Sequence, residues 1–438
     1  MPLQRRQFLT ALAATPALAM TPTQAAETSA DLPHVPWSRH AALYQVNVRQ
    51  FSADGTLEAA LADLPRLKAL GVDALWLMPI QPIGVKERKG TLGSYYSIRD
   101  YTAVNPEFGT LADARAFVQA AHALGLKVIL DWVANHTAFD HAWTHEHKDW
   151  YKLDAHGEIF PVTFNAGHPN EEHWSDVTAL NYDKPALRDA MIAAMRFWVR
   201  EVDLDGFRCD VASLVPTPFW ERARRELDAT KPMFMLAESD ARDLHRAAFD
   251  MTYGWDLSTL LQDIGKGKAG AADLRDWARA EPHGYPTSAY RMRFTQNHDI
   301  NSWAGSDAEL YGDNYQAFAV LTFTLPGMPL IYNGQESRLA RRLEFFEKDP
   351  IAWKTHELQD FYANLVKLKH AHPCLGNGQY GGTLAVLDVG NDALFAFRRR
   401  LSGDSVTVVV NITGSAQKLT LDGAERNLPA HGWLVDAA

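Results

Sequence analysis

From Ala42 onward, short apolar runs alternate with stripes of helical period, the pattern of parallel strands joined by crossover helices. Residues 42–48 predict a first strand. Leu57, Leu61 and Leu64 predict a helix that Pro65 kinks or restarts, and residues 72–78 predict a second strand stopped by Pro79. Thr110 and Asp113 cap a helix whose Leu111, Ala114, Phe117, Val118, Ala121 and Leu124 share one face; Gly125 ends it before a third strand at 127–133. Asp183-Lys184-Pro185 opens a helix carrying Leu187, Met191, Met195, Trp198 and Val202, which feeds a fourth strand at 206–211. Runs at 233–237, 249–251, 291–296 and 329–332 complete a set of eight. The economical fold is α/β, a (β/α)8 TIM barrel over residues 34–370.

Two stretches break this rhythm. Residues 134–177, rich in Trp, His, Asn and Gly, read as a short domain inserted after the third strand. From residue 375 to 438 the period becomes two, with runs at 383–389, 393–398 and 405–411 separated by Asn391-Asp392 and Ser402-Gly403-Asp404 turns, which predicts a C-terminal antiparallel β domain of sandwich type. Residues 1–26 carry Arg5 and Arg6, no acidic residue and an Ala/Leu-rich run ending in Thr23-Gln24-Ala25-Ala26. That order predicts an export leader, with the paired arginines pointing to the twin-arginine route, and hence a periplasmic or secreted protein. No later apolar run is long enough to span a membrane.

Composition narrows the classes. With 438 residues, 47 % hydrophobic and 22 % charged, the chain lacks the bias of disordered, collagen-like or disulfide-scaffold sequences. A net charge of −10 argues against nucleic acid or an anionic membrane surface as partner. Cys209 and Cys374 cannot make a disulfide framework, so packing must stabilise the fold.

Catalytic groups of such barrels sit at the C-terminal ends of strands, and polar residues cluster there: Asp131 to His136, Arg208 and Asp210, Glu238, and His298-Asp299. Alternation puts Arg208 and Asp210 on one side of their strand and Phe207, Cys209 and Val211 on the other. An adjacent guanidinium favours the ionised Asp210 and lowers its pKa, whereas Glu238 ends an apolar strand. Two carboxylates in contrasting surroundings on neighbouring strands suit the nucleophile and general acid of glycoside hydrolysis. Singly, each such residue also serves as a helix cap or loop anchor. The insertion holds seven histidines, but His145-Glu146-His147 lacks the His-Glu-x-x-His spacing of a zinc helix, so surface histidines are expected and no metal site is assigned. Trp132, Trp143, Trp150 and Trp174 are candidates both for sugar stacking and for core.

Asp131 to His136, Gly206 to Asp210, Ala237-Glu238 and Asn297-His298-Asp299 resemble, in order, the four motifs of the α-amylase superfamily, glycoside hydrolase family 13. Gly93-Ser94-Tyr95-Tyr96, Phe249 to Tyr253 and the Pro326 to Glu336 stretch add to the likeness. The resemblance implies Asp210 as nucleophile, Glu238 as general acid/base and Asp299 as the carboxylate that binds sugar hydroxyls and stabilises the transition state. It also implies that Arg208 orients Asp210, that His136 and His298 bond the sugar, that Tyr96 stacks under it, and that Asp131 supports the site. By the same resemblance, many relatives hold Ca²⁺ with the asparagine equivalent to Asn135, an aspartate and a histidine; the last two positions correspond here to Ala179 and Leu214, so no Ca²⁺ is expected. The implied activity is retaining hydrolysis of α-1,4 bonds in starch or maltooligosaccharides. Val211, found in relatives that cleave α-1,6 bonds, keeps α-glucosidase, oligo-1,6-glucosidase and transglycosylase action open.

Overall fold

A computed structural model describes residues 32–169, 171–353 and 357–438 of the chain. The leader expected at residues 1–26 lies outside them. Eight parallel strands close into a barrel: β1 (Leu43–Val46), β2 (Ala74–Leu77), β3 (Lys127–Trp132), then, after three strands of the insertion, β7 (Gly206–Cys209), β8 (Phe234–Ala237), β9 (Met251–Tyr253), β10 (Tyr290–Arg293) and β11 (Met328–Tyr332). Around the ring the order is β1-β11-β10-β9-β8-β7-β3-β2.

Local sequence sets the helices between them. Thr110 and Asp113 form a reciprocal cap on helix Leu111–Ala123, which buries Ala114, Phe117, Val118 and Ala121. Pro65 restarts rather than kinks its helix: Leu57–Ala62 ends, and Leu64–Leu70 begins with the proline in its first turn, where the missing N–H costs nothing. Helix Pro185–Val202 buries Leu187, Met191, Met195, Trp198 and Val202 against the barrel.

Two strands lie off their expected positions. The sixth runs Met251–Tyr253 rather than 249–251, and the seventh Tyr290–Arg293 rather than 291–296. In both cases fully buried loop residues, Phe249 and Phe294 among them, carry apolar character without joining the ladder. Burial and strand pairing are separate properties, and only the first is visible as hydropathy.

The insertion forms a three-stranded antiparallel sheet in the order β4-β6-β5, from β4 (His136–Ala138), β5 (Pro161–Phe164) and β6 (Glu172–Ala179). At the C-terminus, β12 (Thr383–Val386), β13 (Leu394–Leu401), β14 (Asp404–Asn411) and β17 (Trp433–Ala437) make a four-stranded antiparallel sheet, and β15 (Gln417–Leu421) pairs with β16 (Ala424–Leu428). Leu394, Ala396 and Val409 on one sheet face pack on Leu419, Leu421 and Leu428 of the hairpin. Phe395, Phe397, Val406, Val408 and Val410 on the other join the barrel core. Cys209 and Cys374 are both buried and free. No helix among the described residues is long and apolar enough to cross a membrane.

Gly206 lets β7 and β8 approach: a Cβ there would stand 2.0 Å from the Phe234 carbonyl oxygen, a backbone atom that cannot swing away. Gly206→Ala is therefore expected to cost about 3 kcal/mol, seen as a lower urea midpoint with an unchanged m-value. A midpoint equal to wild type would contradict the packing.

Candidate active site

The C-terminal ends of the strands converge on one cavity of about 430 Å³. Bonded to carboxylates that line it is Arg208 on β7, whose side chain is fully buried. Its Nη1 donates to Asp131 at 2.8 Å and to Asp210 at 3.1 Å, its Nε donates to the Tyr253 hydroxyl at 3.1 Å, and its Nη2 lies 2.9 Å from Glu238 Oε2. The rings of Trp76, Tyr96 and Tyr253 surround the guanidinium at 5.1, 5.6 and 5.7 Å, adding cation–π attraction where water is excluded. One cation thus gathers side chains from the ends of β3, β7, β8 and β9.

This corrects the expectation that the adjacent guanidinium lowers the pKa of Asp210. Burial outweighs the guanidinium, and Asp210 is pushed up to about 6, with Asp131 and Asp299 adding repulsion. Glu238 shares the same cation but is raised further, to about 8, by burial against the charge of Asp210 and Asp299. The contrast survives as a difference between two raised carboxyls: Asp210 ionises first.

Asp131 is wholly enclosed and accepts from Trp76 Nε1 at 3.1 Å and Tyr96 Oη at 3.0 Å besides Arg208, so it holds three site residues together. His298 follows β10. Gln45 on β1 donates from Nε2 to His298 Nδ1 at 2.7 Å while its Oε1 accepts from the His298 backbone at 3.3 Å. The amide orientation is thereby fixed, and the ring proton belongs on Nε2, which donates to Tyr96 Oη at 2.7 Å. Asp299 lines the cavity with its Oδ2 3.3 Å from the same Nε2. Tyr96 stacks on His298 at 5.4 Å, and its ring also lines the cavity. His136, at the start of β4, reaches the cavity with Asn135 Nδ2 3.2 Å from its Nδ1 and Trp174 edge-on at 5.6 Å. All eight residues singled out in the sequence therefore belong to one connected site.

Strand alternation misplaces Val211. β7 ends at Cys209, and Val211 turns into the left-handed region at φ 36°, so it lines the cavity instead of facing away with Phe207 and Cys209. A β-branched residue there is strained. The turn aims the Val211 N–H at Glu238 Oε2, 2.8 Å away. Gln45, with its hold on His298, is a site residue that the sequence motifs did not reveal, and neither the Tyr253 bond to Arg208 nor the Val211 bond to Glu238 was foreseen; a lone amide in the apolar run Leu43-Tyr44-Gln45-Val46 was the one available signal for the first.

Of the four candidate tryptophans, Trp174 alone borders the cavity, stacked on Phe164 at 5.2 Å; Trp132 and Trp150 are buried core, and Trp143 packs between Tyr101 and Trp150. In the histidine-rich insertion His147 stacks on Trp150 at 3.9 Å, a packing role. No group of three or more His, Cys, Asp or Glu able to hold a metal occurs among the described residues. The calcium position of the resemblance does not fit either: Ala179 brings a methyl and Leu214 a half-exposed alkyl chain where a hard cation needs oxygens.

The family model described as the α-amylase catalytic domain matches residues 45–367. Among curated relatives, α-amylase MalA of Haloarcula japonica is 29 % identical over 394 residues, covering 86 % of this chain and 56 % of its own, so this chain spans little more than half of that relative. Among solved structures, an α-amylase from Lactobacillus plantarum superposes with a TM-score of 0.82 at 31 % identity, covering 92 % of this chain and 99 % of that one. A maltogenic α-amylase from Thermotoga neapolitana gives 0.78 at 29 % identity, over 91 % and 96 %. Because the family match runs from β1 through β11 and takes in the whole ring of strand ends that builds the cavity, the chain belongs to the α-amylase family of glycoside hydrolases.

Proposed function

We propose that the protein is an exported retaining α-glucan hydrolase that cleaves α-1,4-glucosidic bonds of starch or maltooligosaccharides by double displacement. The observation that carries this is the placing of Asp210 and Glu238 on adjacent strand ends, bridged by one buried guanidinium and facing Asp299 across a single cavity. Export rests on the composition of residues 1–26.

In the first step Glu238 gives its proton to the glycosidic oxygen as the C1–O bond breaks, and an Asp210 oxygen bonds to the anomeric carbon to give a glycosyl ester. Arg208 and the Val211 N–H both address Glu238 Oε2, which leaves Oε1 as the oxygen that carries the mobile proton. In the second step the Glu238 carboxylate takes a proton from water as the water oxygen attacks the same carbon, and Asp210 departs as carboxylate. Asp299 and His298 bond the hydroxyls of the reacting sugar, His136 does so from the insertion side, and the Tyr96 ring supports its apolar face. Arg208 and Asp131 act through the groups they position.

Asp210→Asn and Glu238→Gln are each expected to lower kcat on maltooligosaccharides at least a thousandfold while the proteins stay folded by circular dichroism. NMR of the first product should show the α-anomer; β-product would sink the double displacement. Activity requires ionised Asp210 and protonated Glu238, so kcat/KM is expected to fall below pH about 6 and above about 8, the limbs belonging to the interacting pair. A profile flat from 5 to 9 would contradict the assignment. Because the donor set at Asn135, Ala179 and Leu214 is too poor for Ca²⁺, activity and Tm should be unchanged in a chelator; a loss restored by Ca²⁺ would refute this.

A further inference from the structure

The residues that line the cavity come from opposite sides of the barrel. Glu238 follows β8, and the barrel order puts β1 diametrically opposite, flanked by β2 and β11. The glycosidic oxygen must lie at Glu238, so the leaving group extends toward the β8–β9 side, past Val211 and Trp255, and the retained sugar faces the β1 side, against Tyr96 and His298. The loops after β2 and β11 meet behind that sugar.

They are joined at several points. Thr91 donates from N to Glu347 Oε1 at 2.8 Å and from its hydroxyl to Glu347 Oε2, and Leu92 N donates to the Phe346 carbonyl at 3.1 Å. Gly90, at φ 63°, comes so near that a Cβ would stand 2.5 Å from the Cβ of Phe346. From below, Arg49 Nη1 donates to the Gly93 carbonyl at 3.0 Å. The same loop is tied to the insertion as well: Lys89 Nζ lies 2.9 Å from Asp176 Oδ1, Ser97 Oγ donates to the Asp176 carbonyl at 2.9 Å, and Val85 N donates to Asp140 at 2.9 Å. A continuous collar thus runs from β6 of the insertion, through residues 85–97, to Phe346 and Glu347. Phe345 and Trp303 stand 5.4 Å apart inside it, and Phe345 lies parallel to Tyr96 at 6.3 Å.

We infer that this collar makes the cleft blind on the glycone side, so that the enzyme accepts α-glucans by their non-reducing end and removes a short, fixed product. An endo-acting cleft must let the chain run out past both sides of the catalytic pair, and here an aromatic wall locked by backbone and side-chain bonds closes one exit. The volume of about 430 Å³ suits a short oligosaccharide end. Thr91 and Glu347 are the specificity-determining residues in this reading, since their side chains hold the two loops together without touching the catalytic carboxylates. The inference rests on the function proposed above.

The test uses maltoheptaose labelled with a fluorophore at its reducing end, with and without a 4,6-O-ethylidene block on the non-reducing glucose, followed by chromatography over the first turnovers. The expected result is one dominant labelled product from the open substrate and at least tenfold slower cleavage of the blocked one. Equal rates and a spread of products would overturn the blind cleft while leaving the hydrolase reading intact; cleavage of neither substrate would overturn that reading and the inference with it. The Thr91→Ala/Glu347→Ala double variant, altered only at the latch, should cleave the blocked substrate at least threefold faster than wild type. No gain in a folded variant would show that the latch does not form the barrier.

Discussion

A buried guanidinium surrounded by carboxylates is the constraint around which this molecule is organised. Removing an ion from water costs several kcal/mol even after relaxation, and Arg208 has no solvent contact. Its stability depends on Asp131, Asp210 and Glu238 arriving together from three strands, with Tyr253 from a fourth. No local segment can provide that set, so the charge is tolerable only when the barrel is closed. Conversely, the carboxylates are tolerable so close to one another only because the cation stands between them. Fold and site are one electrostatic solution.

That solution also explains why neither carboxyl keeps its ordinary affinity for protons. The cation is shared among three anions, and Asp299 adds repulsion, so the site holds more potential negative charge than one guanidinium can offset. One carboxyl must stay protonated near neutrality. The geometry selects Glu238: its Oε2 accepts the Val211 amide and lies 2.9 Å from the guanidinium, which leaves the other oxygen for the proton. The strained turn at Val211 is the local cost of that selection.

Outward from the pair, order is imposed by polar bonds between loops instead of by apolar packing alone. Gln45 fixes the His298 tautomer, His298 donates to Tyr96, and Tyr96 returns to Asp131. Farther out, Lys89, Thr91 and Glu347 fasten the loops after β2 and β11 to each other and to the insertion. Shape complementarity to the neutral sugar proposed as substrate requires such rigidity, since no charge on such a ligand would pull mobile groups into place.

How much of this could be read along the chain follows from the range of each interaction. Alternating apolar runs, the Thr110/Asp113 cap, the helix restart at Pro65 and the polar residues at strand ends depend on neighbours a few positions apart, and the sequence by itself determined them, together with the barrel and the residues of its mouth. The sixth and seventh strands were displaced because buried loops such as the one at Phe249 imitate strands in hydropathy. The left-handed turn of Val211, the service of Gln45 to a histidine 253 positions away, the sharing of Arg208 among three carboxylates and the latch between Thr91 and Glu347 were decided only by the tertiary structure. They arise from the angle at which barrel strands end and from charges meeting where water is absent, and neither quantity is a property of any one segment.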